Sequence, residues 1–180
     1  MRASEVQLRL RVALSRERHG ALRAALVHEG DEREHGAFLF AKPQGNGLLE
    51  VVEVELLKAD HFESQNFGYL ELRDGALQDM ILRAHQGELA LIEAHSHPFS
   101  TGLGVSFSPF DEEGLSEVAP HVAWRLPGRP YVALVFGQKA FDGLFWLGPE
   151  RSPSGAVDLV LDGELLPSSG QSLHRWGGKP

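Results

Sequence analysis

The chain has 180 residues, 42% hydrophobic and 23% charged, which suits one well-buried soluble core and leaves little length for a second. A formal net charge of -8 argues against a nucleic-acid backbone as partner, and the absence of cysteine removes disulfides, thiolate metal ligands and thiol nucleophiles together. No apolar run approaches the roughly 20 residues that cross a bilayer, and Met1–Glu5 carries no apolar signal core, so a cytoplasmic protein without membrane contact is expected.

In chain order, Val6–Val12 alternates apolar and polar residues and predicts a half-buried strand. Ser15 predicts the cap of a helix running to about Val27, with Gly30 as its stop. Glu29–Glu34 is a charge-rich loop. Gly36–Ala41 and Leu48–Leu57 read as strands of a hairpin turning through Pro43–Gly47. Phe67–Leu72 predicts another strand. Asp74 then caps a helix whose buried stripe is Leu77, Met80, Ile81 and Ala84, ended by Gly87. Leu89–Ala94 is a short apolar strand. Ser108 is set to cap a further helix, with Pro109 at its first position and Asp111 at its third, and Pro120 limits or kinks it. Tyr131–Phe136 and Phe141–Leu147 form a strand pair, and Ala156–Leu161 adds an edge. These elements predict an α/β (α+β) fold: one mixed, mostly antiparallel sheet flanked by helices. Residues 1–166 make a single domain. Residues 167–180 read as a linker-like tail that ends poorly ordered, in which Trp176 is free to dock on a partner.

The chemistry concentrates after the Leu89–Ala94 strand, in His95-Ser96-His97-Pro98. Residues i and i+2 of an extended segment face the same way, so both imidazoles can offer nitrogen to one ion. Asp111, fourteen positions after His97, can supply a third ligand and leave a fourth position for water, the pattern of a catalytic zinc site. Two imidazoles and one carboxylate suit zinc among divalent ions. Glu93, two residues before His95, has the parity to orient an imidazole. Trp124, Phe145 and Trp146 read as core residues by default.

Taken with a glutamate upstream, His95-Ser96-His97-Pro98 and Ser108-Pro109-Phe110-Asp111 resemble the signature of the JAMM metallopeptidases, the MPN-plus family, over roughly residues 20–147. One departure stands out: Phe99–Phe107 is longer than the family's usual loop, and Gly102 and Gly104 allow it to bulge. The resemblance implies a cytidine-deaminase-like MPN architecture and a zinc ion on His95, His97 and Asp111. It also implies a general-base glutamate, for which Glu34 is the candidate and Glu32 and Glu29 are rivals, and a serine, Ser108, that hydrogen-bonds the oxyanion. The implied activity is hydrolysis of the amide bond after the Gly-Gly end of a ubiquitin-like or sulfur-carrier protein. An adenylating domain like that of ubiquitin-activating enzymes is the implied neighbour. The chain's own Gly177-Gly178 resembles such an end and reads as flexible. The alternatives are a scaffold of the same family that binds partners without chemistry, or a regulatory domain that is latent until a partner orders Phe99–Phe107.

Overall fold

The computed structural model describes residues 8–66 and 69–177. Val6, Gln7, Phe67, Gly68 and the terminal Gly178–Pro180, which figure in the readings above, lie outside the described residues. The order is β1 (Arg9–Leu14), α1 (Arg16–Leu26), β2 (Gly36–Gly45), β3 (Leu48–Leu56), β4 (Phe62–Asn66), β5 (Tyr69–Leu72), α2 (Ala76–Gln86) and β6 (Ala90–Ser96). There follow α3 (Pro109–Arg125), β7 (Tyr131–Phe136), β8 (Phe141–Trp146), β9 (Gly155–Leu161), β10 (Glu164–Leu166) and α4 (Gln171–Gly177).

Local rules account for most of these limits. Ser15 Oγ accepts the Arg18 amide and starts α1. The β2–β3 hairpin turns at Asn46 and Gly47, both at positive φ, as a tight turn with the twist of its strands requires. The predicted cap of α2 is corrected: the cap is Gly75, at φ 89, with no side-chain hydrogen bond, and Asp74 lies one residue outside. α3 runs on through Pro120 to Arg125.

The expected single sheet flanked by helices, in a cytidine-deaminase-like MPN architecture, is overturned, because the main sheet closes on itself. The strands run β1-β3-β2-β6-β7-β8-β9-β10, and β1 also pairs with β9 in parallel from Arg9↔Ala156 to Leu14↔Leu161. That pairing closes seven strands into a mixed barrel, with β10 appended to β9 and β4–β5 as a separate hairpin. Ala156–Leu161 is therefore an interior strand, not an edge. Burial follows from closure. Every one of the seven strands sends residues into one cluster, including Val12, Leu39, Val51, Ile92, Leu134, Phe145 and Leu159, and Leu22 and Leu26 of α1 pack against it. A second cluster lies on the opposite faces of β2, β6, β7 and β8, where Phe38, Phe40, Leu91 and Tyr131 meet α2, α3 and α4. Among the described residues that cluster takes nothing from β1 or β9, and on the outer side of these strands Arg9 pairs with Asp158 at 2.6 Å. A Cβ at Gly155 would collide with the Leu8 carbonyl oxygen, so a glycine is what lets the first turn of β9 reach β1.

The segment read as a linker-like tail also folds differently through residue 177. Asp142, buried on β8, accepts the Gly170 and Ser172 amides at 3.0 and 2.8 Å, and Trp176 meets Trp146 edge to face at 6.0 Å. Trp146 is 1% exposed, so this aromatic pair belongs to the core, whereas Trp124 is 75% exposed. Among the described residues no helix is long and apolar enough to cross a membrane.

Candidate metal centre

β6 is buried on both faces and pairs antiparallel with β2 and parallel with β7. Its alternation puts His95 and His97 on one side, with Nε2 atoms 3.2 Å apart. Asp111 Oδ2 comes from the first turn of α3 and lies 3.6 Å from His95 Nε2 and 3.1 Å from His97 Nε2. Ligand atoms about 2.0–2.1 Å from a tetrahedral ion stand about 3.3 Å from one another. The three separations bracket that value, so this group could hold a metal ion.

Asp111 is aimed by a reciprocal cap. Its amide donates to Ser108 Oγ at 3.1 Å, and the Ser108 amide donates to Asp111 Oδ2 at 2.6 Å. The Ser108 hydroxyl oxygen is thereby an acceptor in the cap, while its proton remains available to donate. Burial raises the Asp111 pKa, but hydrogen bonds to His95 and His97 outweigh it and hold the carboxyl well below the usual range. Burial pushes His97 down, which favours the neutral form that coordinates metals. His95 is pushed up: burial opposes this, and the Asp111, Glu34 and Glu93 carboxylates overcome it.

Glu34 is 3% exposed, with Oε1 3.7 Å from His97 Nε2. Glu32 and Glu29 are exposed. The charge-rich run is not simply solvated: Asp31 is gripped by the Arg33 guanidinium at 3.0 Å and by His35 Nε2 at 2.9 Å. The Ser96 side chain, missed in the sequence reading, completes the placement. Its Oγ accepts the His35 amide at 2.9 Å, and its own amide donates to the His35 carbonyl at 3.0 Å. Gln65 Nε2 donates to the Glu34 carbonyl at 2.8 Å. Burial, with a further contribution from Asp111 and against the pull of His95, pushes Glu34 up to about 7.

The hydrogen bond given to Glu93 comes from the Tyr131 hydroxyl, and its effect on His95 is through charge. His97 instead has a backbone hydrogen bond with Ser106, from the loop that seemed only to absorb length. Residues 98–107 are held by hydrogen bonds from other parts of this chain. Gln138 Nε2 donates to the Pro98 carbonyl at 2.9 Å, Ser169 Oγ to Val105 at 2.6 Å, and the Phe107 amide to Ser172 Oγ at 2.9 Å. Arg175 donates to the Phe107 carbonyl and to buried Glu112.

The three ligands separate two hollows. One, of about 400 Å³, runs past Gly36, Leu70, Leu72, Glu93, His95 and Phe110. The other, of about 350 Å³, lies between His97, Phe99, Ser108 and Arg175. Known proteins add no assignment: no protein-family model matches the chain, and no curated protein matches it significantly.

Proposed function

We propose that the protein is a zinc-dependent amide hydrolase of the JAMM type, acting on the bond after a Gly-Gly end of a ubiquitin-like or sulfur-carrier protein. One observation carries the reading: two imidazoles and a carboxylate converge at the spacing of a tetrahedral ion, with the buried carboxyl of Glu34 3.7 Å from one of them. Zinc is the proposed ion because histidine nitrogens and one carboxylate form a common hydrolytic donor set, with one position left open. When bound, it supplies a Lewis acid that activates water and polarises a carbonyl.

The chain's own residues supply the rest. Glu34 takes a proton from the attacking water at Oε1 and returns it to the leaving amine. The Ser108 O–H, left over from capping, donates to the oxyanion as charge develops. The two hollows give an extended substrate a path on either side of the ligands. Glycine is favoured at the scissile bond because a backbone without side chains can approach the centre most closely.

The test is cleavage of a Gly-Gly isopeptide substrate by zinc-loaded protein, compared with Glu34→Gln. The variant should keep its metal and lose about 10²–10⁴-fold in rate. Full activity in the variant would remove Glu34 as base, and zinc-loaded wild type that cleaves no such substrate would favour the partner-binding scaffold.

A further inference from the structure

We propose that a second cavity, between α1, the β7–β8 turn and the segment 166–169, binds a phosphate group or a comparable small oxyanion. Its volume is about 540 Å³, within the range of small-molecule sites. His19, Arg23 and Lys139 line it, and among the described residues no carboxylate does. That is unusual in a chain with 25 acidic and 17 basic residues.

Each of the three groups has capacity to spare. His19 Nε2 is buried with no hydrogen-bond partner among the described residues. A buried polar atom of this kind costs about 1–3 kcal/mol unless something satisfies it. His19 and Arg23 stand four residues apart on α1, on the same helical face. Arg23 is held in place: Nη2 donates to the Gly137 and Gln138 carbonyls at 3.2 and 2.7 Å, and the guanidinium lies 5.8 Å from the centre of the Phe136 ring. Those partners are neutral, so its charge is fixed but not neutralised. Lys139 is exposed in the turn, and no hydrogen bond or ion pair engages its ammonium among the described residues. Burial, and then the positive charges of Arg23 and Arg16, push the His19 pKa down. Ser168 and Ser169 also line the cavity, but their hydroxyls already donate to Asp158 Oδ1 and to the Val105 carbonyl, so the three basic groups supply the donors. Arg is well matched to phosphate by its planar donors, and Lys adds a point charge. The cavity exceeds what a free phosphate ion fills, so the same chemistry also admits a phosphate monoester.

The full chain is titrated with sodium phosphate and, separately, with glucose 6-phosphate, against sodium chloride at matched ionic strength. The His19 ring resonances are followed by NMR. Saturable movement of the His19 signals is expected, surviving removal of metal on a chelating resin. Lys139→Gln should weaken binding about tenfold, as should Arg23→Gln, the lysine variant being the one that leaves the internal hydrogen bonds intact. Tighter binding of the ester identifies a larger ligand, and tighter binding of the free ion identifies phosphate itself. No saturable change with either probe overturns the proposal. So does a change that disappears with the metal and ignores Lys139→Gln, because it assigns the anion to the histidine centre.

Discussion

Glu34 carries a cost that the centre must offset. Its pKa is raised from an ordinary 4.5 to about 7 by burial, so the protonated form is the comfortable one in metal-free protein. The contribution is fully present below 4.5 and is lost as pH rises through 7. Metal-free Glu34→Gln should therefore be more stable than wild type at pH 8, by on the order of 2 kcal/mol, with the difference fading at pH 4. A bound cation favours the carboxylate, so zinc should shrink the gap. Urea titrations at both pH values, with and without zinc, check this; an unchanged or lower stability of the variant at pH 8 contradicts it. The gathering of His95, His97 and Asp111 was legible because it rests on local rules, the two-residue period of a strand and the third position of a capped helix. Ser96 and Ser106 were not. Their roles depend on which backbone groups cross-strand pairing and a folded loop bring near, and no sequence period encodes that.

α4 is the element whose importance composition concealed. Pro, Ser and Gly around residue 170 suggested a linker, yet those small polar side chains are what reach the buried backbone of the loop. Ser172 is fully buried, accepts the Phe107 amide and donates its own amide to Asp142. Ser172→Ala leaves the Phe107 amide without its acceptor, which should cost about 1–3 kcal/mol of stability. The loop also positions His97 through Ser106, so zinc affinity should fall by about 10–100-fold, as loss of such support typically does. Thermal denaturation and competition with a zinc chelator measure the two effects. Lower stability with unchanged zinc affinity would show that α4 supports the fold and not the centre.

At the scale of the molecule, the closed barrel was the feature least accessible to sequence. β1 alternates like any half-buried strand and β9 is a short, mostly apolar run buried on both faces, and their parallel pairing joins residues about 147 positions apart, from Arg9 to Ala156. Local pattern sets which face is apolar but not which strand lies alongside. The small residue at 155 is a trace of closure, visible only once its neighbour is known. Gly155→Val should be severely destabilising, and hydrogen exchange should show its loss first in the β1 amides; Gly163→Ala, at an exposed turn, should cost less. Equal effects at the two glycines would mean that the β1–β9 seam contributes little. Within the barrel, β6 sits between β2 and β7 and presents His95, with His97 just past its end, toward α3. The central claim is that His95, His97 and Asp111 hold one ion together, and elemental analysis of protein purified without added metal tests it most directly. Wild type should contain about one zinc per chain, and His97→Ala and Asp111→Ala, if folded, almost none. Full zinc content in both folded variants, or none in wild type even after zinc is supplied, would contradict it.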